Sequence, residues 1–385
     1  VADGVWADLV GQDKAIAVLS AAAEDPRAMT HAWLFTGPPG SGRSVAARAF
    51  AAALQCENGG CGHCQACRTV LAGTHSDVRE VVPEGLSISV SEMRALVQIA
   101  ARWPSTGNWQ IVIIADADRL TEGAANALLK AVEEPSDRTV FLLCAPSDHP
   151  DDVPVTIRSR CRLVPLRTPP APAIADVLTN RDGIDPDTAT WAASVCGGHV
   201  GRARRLARDP EARTRRDQAL SLPLSLHGYT EVFQAADTLI GSAEAEAAAI
   251  AGTRDAAERE ALATAMGAGG TGKGVASAQR GAKAAERELE RRQRSRSTRN
   301  QRDALDRALV DLAGFYRDVL AARFAAPVPP THPDRSQDAH QAAATWTPES
   351  TLRRLEAVLA CRDAIDLNVK PRIAVEAMLT VLHHG

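Results

Sequence analysis

The first half of the chain alternates short, continuous apolar runs with amphipathic stretches of helical period. Trp109 to Ile114 and Thr139 to Cys144 read as strands buried on both faces of a sheet, and His31 to Phe35 and Val78 to Val82 as two further strands. Between them, Ala15–Ala23 places Ile16, Leu19 and Ala23 on one helical face. Val45 to Leu54 is almost wholly alanine, valine, phenylalanine and leucine, as a helix packed on a sheet should be. Ser87-Ile88-Ser89-Val90 opens a helix that should reach about Trp103, where Pro104 limits it. Thr121 to Glu134 predicts another, ended by Pro135, with Ala124, Leu128 and Val132 on its inner face. Strands that alternate with helices in this way predict an α/β domain with a parallel sheet.

After the proline-rich stretch Thr168-Pro169-Pro170-Ala171-Pro172, which reads as a hinge, the pattern turns helical. Asp187 to Val195, closed by Gly197-Gly198, and Gly201 to Arg208 are the first two helices. From about Ala212 no strand signal remains. Leu352, Leu355 and Leu359 repeat at helical spacing behind the cap and first-turn pair Thr347-Pro348, and Pro371 to Leu382 makes a last helix.

The stretch 267–302 predicts a flexible insertion. Gly267 to Gly274 imitates a phosphate loop, with Lys273 in place, but it ends in glycine and follows no strand. Arg291, Arg292, Arg294, Arg296, Arg299 and Arg302 read as a solvated helix face, with contact to DNA phosphates as the alternative.

Length and charge narrow the class. The 385 residues suffice for two or three domains, each with its own core. No run of twenty apolar residues is present, so no membrane helix is expected. The chain's start shows no basic stretch followed by an apolar core, and the expected location is the cytoplasm. A net charge of −3 argues against a uniformly basic nucleic-acid coat. Only five of the 44 basic residues are lysine, a bias that weakens inference from any single arginine.

Candidate chemistry sits at three places. Gly37-Pro38-Pro39-Gly40-Ser41-Gly42-Arg43-Ser44 follows a strand, precedes a helix and has the spacing of a phosphate-binding loop, except that Arg43 stands where lysine belongs. Gly37, Gly40 and Gly42 let backbone N–H groups turn toward an anion, and Ser44 opens the helix. Arg43 carries its charge on a planar fork, not on a compact ammonium. At the end of the 109–114 strand, Ala115 takes the position of a magnesium-holding carboxylate, and Asp116 that of the acid that orients water.

Cys56, Cys61, Cys64 and Cys67, with four, two and two residues between them, can converge on one tetrahedral ion. Zinc in a closed, structural site fits best. An iron–sulfur cluster takes the same four thiolates but has no redox-partner motif here. His63 is either a substitute for one sulfur or an exposed loop residue. The third place, Arg158-Ser159-Arg160-Cys161-Arg162, is either a solvated turn or an arginine finger at a subunit edge.

Taken together with Leu9-Val10-Gly11-Gln12, Gly73-Thr74-His75, Ala125 to Lys130 and Glu133-Glu134-Pro135, these motifs make the first 210 or so residues resemble the delta-prime subunits of the bacterial DNA polymerase III clamp loader. The gamma/tau subunits are close relatives. The resemblance implies an AAA+ phosphate-loop domain with parallel sheet and inserted zinc module over 1–167, the module at 56–67. A small helical lid over 168–211 and an all-α collar over 212–385 would follow. It implies that Arg160 reaches ATP held by a neighbouring subunit and that Cys56, Cys61, Cys64 and Cys67 bind zinc. The implied partners are gamma/tau and delta subunits, with the sliding clamp and primed DNA met through the assembly, and no membrane.

Departures from the motor subunits also count. Those have lysine at position 43 and an Asp-Glu pair where this chain has Ala115-Asp116, and active relatives sense nucleotide with an arginine where Gly201 stands beside Arg202. These losses point to a non-hydrolysing subunit and put ATP binding in doubt. An active ATPase motor of the gamma/tau kind is the alternative, and a lone zinc-dependent nucleic-acid binder is opposed by the charge.

Overall fold

A computed structural model describes residues 4–25, 27–83, 85–265 and 275–385, which divide after Arg208 into two compact units. The first unit opens with a 3-10 turn, Gly4–Asp8, and helix α1 (Asp13–Glu24). Strand β1 (Ala32–Thr36) leads into α2 (Arg43–Gln55) and the short α3 (Gln65–Leu71). Then follow β2 (Val78–Val81), α4 (Val90–Ala100), β3 (Gln110–Ile114), α5 (Glu122–Glu133), β4 (Thr139–Ala145), α6 (Val155–Arg158) and β5 (Arg162–Pro165). Helices α7 (Ala171–Asn180), α8 (Pro186–Val195) and α9 (Val200–Arg208) complete it.

The five strands are parallel in the order β2-β3-β4-β1-β5, with Leu34 opposite Leu143 and Leu163. Period-two alternation divides each apolar run between two cores. Trp33, Phe35, Ile111, Ile113, Val140, Leu142 and Cys144 face the layer of α1 and α2. Ala32, Leu34, Val112, Ile114, Phe141 and Leu143 face α4 and α5. The alanines of α2 bring that helix close to the sheet, where Phe50 meets the edge of Trp33 at 4.9 Å. This five-stranded parallel sheet carries the phosphate-type loop at the carboxyl end of β1, the neighbour of its middle strand β4.

Helix ends follow local chemistry. Ser89 and Glu92 form a reciprocal capping box that starts α4, and the helix stops at Ala100, short of the expected Trp103. Thr121 is the cap of α5 and not its first residue. Helices α3, α6 and α7 and strand β5 escaped the pattern reading. Helix α7 begins inside the stretch read as a hinge, because Pro170 and Pro172 suit a cap and first turn, and α3 lies within the cysteine motif.

One buried carboxylate positions the loop that leads into β3. Asp77 accepts from the backbone N–H groups of Ser105, Thr106 and Gly107 and from both hydroxyls, all at 2.7–2.9 Å. Burial pushes its pKa upward, but these donors outweigh burial and hold it well below the usual carboxylate range. A depressed pKa adds stability that is complete above the unfolded value near ~3.9 and is lost as pH falls toward the folded value. Asp77→Asn should therefore cost about 2–3 kcal/mol in denaturant unfolding at pH 7. The gap from wild type should narrow below about pH 4; a gap that does not change with pH would show that the charge is not what holds the loop.

The second unit is all-helical: α10 (Pro210–Ser225), α11 (Tyr229–Ala265), α12 (Val275–Arg323), α13 (Ser336–Thr345), α14 (Pro348–Asp366) and α15 (Pro371–His384). Its core gathers Leu312, Phe315, Tyr316, Val319, Val358, Val375 and Leu379. On α14 the buried stripe is Thr351, Arg354, Val358, Cys361 and Ile365, while Leu352 and Leu359 face solvent. Arg354 can be buried because its guanidinium donates to the Leu382 carbonyl and stacks 4.4 Å over Trp346.

The expected flexible insertion needs correction. From Val275 onward the stretch belongs to α12, because α12 pairs with α11. The glycine-rich imitation loop at 267–274 lies outside the described residues. Among the described residues no helix is long and apolar enough to cross a membrane.

Candidate functional site

The loop between β1 and α2 keeps the frame of a phosphate site. Gly37 leaves the strand, its N–H donating to the Pro146 carbonyl beyond β4 at 3.1 Å. Gly42, at φ 90°, is the N-cap of α2, so Arg43 and Ser44 are its first two residues. Four orphan N–H groups and the helix dipole therefore point into the loop mouth, as an anion requires.

Arg43 does not point outward as a phosphate-reaching lysine would. Its guanidinium donates to the Gly37 carbonyl at 2.5 Å, closing the loop on itself. Its charge still acts on Asp118 and on the buried Cys144 at the end of β4. Asp116 stands just beyond β3, at the start of the 3-10 turn Ala117–Arg119. Ala115 offers only a methyl group at the strand end. Burial first, and Asp116 nearby, raise the pKa of Asp118, while burial pushes the Cys144 thiol up to about 12.

Two residues around this loop carry more than their motifs suggested. Gln12 is 4% exposed; its amide donates to the carbonyls of Ser41 at 3.1 Å and Arg167 at 2.6 Å and accepts from the Arg167 N–H at 3.1 Å. His199, between α8 and α9, lies directly on the loop. A Cβ added to Gly40, whose φ is +86°, would come within 2.6 Å of the His199 Cα. The same histidine accepts from the Arg202 N–H at 3.2 Å and approaches Gly201, so it also shapes the start of α9. Gln12 sits in a quoted motif, but nothing in the sequence marks His199.

The three arginines from the end of α6 to the start of β5 have different environments. Arg158 pairs with Asp148 at 2.8 Å. Arg162 donates to the Ala28 carbonyl and covers the Trp33 ring at 5.0 Å. Arg160 has a 38% exposed side chain, donates to the Thr156 carbonyl at 2.7 Å and pairs with Glu133 at the end of α5 at 2.6 Å. Arg158 and Arg160 are thus both held by partly exposed ion pairs, and Arg160 by the Thr156 carbonyl as well.

The cysteines converge from two elements. Cys56 follows α2, Cys61 lies in the glycine turn, and Cys64 caps α3 with Cys67 in its first turn. All four sulfurs lie within 4.8 Å of one another, and Cys56 Sγ is 3.7 Å from those of Cys61 and Cys64. A tetrahedron with metal–sulfur bonds of ~2.3 Å has edges of roughly 3.8 Å, so the set fits a structural metal ion. His63 is outside the group, bonded to the Cys61 carbonyl at 3.0 Å.

Burial pushes Cys56 up, yet the N–H groups of Cys61, Gly60 and Asn58 bring its pKa down to about 6. Cys67 is pushed the other way, by burial and then by the neighbouring sulfurs. One thiolate is thus at home here, and further thiolates require a cation among them. The turn is braced from the start of the chain: Val5 N–H donates to the Gly60 carbonyl at 3.0 Å, and a Cβ on Gly4 would lie 2.2 Å from that oxygen.

Residues 11–170 match the family described as DNA polymerase III, delta subunit. The delta-prime subunit of Bacillus subtilis DNA polymerase III is 33% identical over 202 residues, 52% of this chain and 60% of that one. Its counterpart in Pseudomonas aeruginosa is 36% identical over 183 residues, 46% of this chain and 55% of the relative. The tau subunit of Bacillus subtilis is 36% identical over 159 residues, 40% of this chain and 28% of the relative. The matches thus span little more than half the length of the delta-prime relatives.

Proposed function

From the match of residues 11–170 to the DNA polymerase III delta-subunit family, we propose that this chain is a non-hydrolysing clamp-loader subunit of the delta-prime kind. It scaffolds the loader ring through a helical collar. It also offers Arg160 in trans to ATP on a neighbouring subunit while the sliding clamp is loaded on primed DNA. Its partners in this reading are gamma/tau and delta subunits, in the cytoplasm. Zinc is the ion proposed for Cys56, Cys61, Cys64 and Cys67, where four sulfurs leave no position open for water and the role is structural.

The observation that carries the reading is the bond from Arg43 to Gly37. The cation that should neutralise a terminal phosphate is held by the loop's own backbone, and Ala115 removes the carboxylate that would hold magnesium. Gly37, Gly40, Gly42, Arg43, Ser44 and Asp116 are in this reading a frame that has kept its shape and lost its reactive groups. At the neighbour's site Arg160 would stabilise charge developing on the phosphates, and the neighbour would supply magnesium and nucleotide.

The 36% identity with a tau subunit favours a second reading, an ATPase motor. One measurement separates them. With magnesium and ATP the isolated chain should show no turnover above that of its Arg43→Ala variant; hydrolysis that Arg43→Ala abolishes would make the chain a motor.

A further inference from the structure

Helices α11 and α12 pair antiparallel, and among the described residues the last buried alanine of α11 is Ala251. Beyond it the two helices are joined by polar groups. Arg296, 9% exposed, donates to Glu258 at 2.6 Å and Asp255 at 2.5 Å, and Gln293 bonds to the Asp255 carbonyl and to Arg259. Arg302 donates to the Ile365 carbonyl and to Asn368, and Arg299 lies 3.7 Å from Asp303. The arginines that read as one solvated face are therefore divided: Arg296 and Arg302 are tied to other helices of the unit, and the Arg299 side chain is 15% exposed.

Arg287, Arg291 and Arg294 are exposed. Their spacing of four and three residues stacks them in one stripe on the side of α12 away from Gln293 and Arg296. Arg291 pairs with Glu288 at 2.7 Å, but the two side chains are 74% and 42% exposed, and such pairs hold little. In the sequence the same spacing runs back through Lys283 to Arg280. Residues 275–302 hold nine basic and three acidic residues, in a chain whose net charge is −3.

We propose that this stripe is a binding surface for the sugar–phosphate backbone of duplex DNA, independent of base sequence and of the phosphate loop. Its charges recur at regular steps along one helix, about 10 Å from Arg287 to Arg294 at 1.5 Å per residue, as suits a periodic polyanion. Guanidinium forks match phosphate oxygens in pairs. Residues 275–302 contain no aromatic side chain, so the surface lacks the anchor that a protein partner would need.

The test uses the full chain and a fluorescein-labelled 30-base-pair duplex of arbitrary sequence, with anisotropy read from 25 to 200 mM NaCl. Arg287→Gln, Arg291→Gln and Arg294→Gln combined should weaken binding at 50 mM salt at least tenfold. The slope of log K against log salt should fall by about 2–3, near 0.9 for each phosphate no longer neutralised. The paired variant Arg353→Gln and Arg372→Gln, on α14 and α15, should keep the wild-type slope, and unchanged thermal melting should show that all variants are folded. No binding at 25 mM salt, or equal losses in the two variants, overturns the proposal.

Discussion

Replacing Arg160 by alanine in a reconstituted clamp loader containing this chain should lower DNA-stimulated ATP turnover at the facing site by about a thousandfold and leave assembly intact. The energetics favour release of Arg160 from its resting partner. Its ion pair with Glu133 is partly exposed on both sides and is worth ~1 kcal/mol or less. A thousandfold rate effect corresponds to about 4 kcal/mol of transition-state stabilisation, more than that pair holds, as the proposed finger role requires. Arg160→Lys should rescue little, because an ammonium cannot bridge two phosphate oxygens as the fork does. Glu133→Gln should not mimic the loss, since it frees the guanidinium. Turnover unchanged in Arg160→Ala would remove the finger from the reading.

Stripping the metal from the purified chain, or replacing Cys64 by serine, should lower the thermal midpoint of the first unit by roughly 10 °C. Structural zinc contributes ~10–16 kcal/mol to isolated peptides, and even about a third of that moves the midpoint of a unit this size by such an amount. Because α3 begins at the ligand Cys64 and the Gly4–Asp8 turn rests on Gly60, hydrogen exchange should rise first at residues 4–8 and 56–71. Metal analysis should give one zinc per chain. An unchanged midpoint in the stripped chain, or visible absorption from iron, would overturn the assignment.

The inner strands β1, β3 and β4 were legible in the sequence because they are buried on both faces, whereas the edge strand β5, exposed at Arg162, Leu163 and Pro165, gave no apolar run to read. The cysteine group was equally legible, since ligand spacing is local chemistry. What escaped depends on partners distant in the chain. Arg296 looks solvated until Asp255 and Glu258 arrive on the opposite helix, and the α11–α12 pairing rests on alanines that give only a weak apolar stripe. Likewise α3 is too short for a period to show, and the α14 leucines suggest the wrong face because Arg354 takes a core position. At the phosphate loop the spacing revealed the frame and the missing carboxylate. The inward turn of Arg43 is a matter of conformation, which composition does not encode.

The three hydrogen bonds of the Gln12 amide have a mechanical meaning. They fasten the phosphate loop at Ser41 to the strap at Arg167 from which α7, α8 and α9 depart. Swinging those helices away from the sheet would strand buried polar groups, at about 1–3 kcal/mol each. The joint is thus stiffened by a side chain of the protein, with no need for nucleotide to set it.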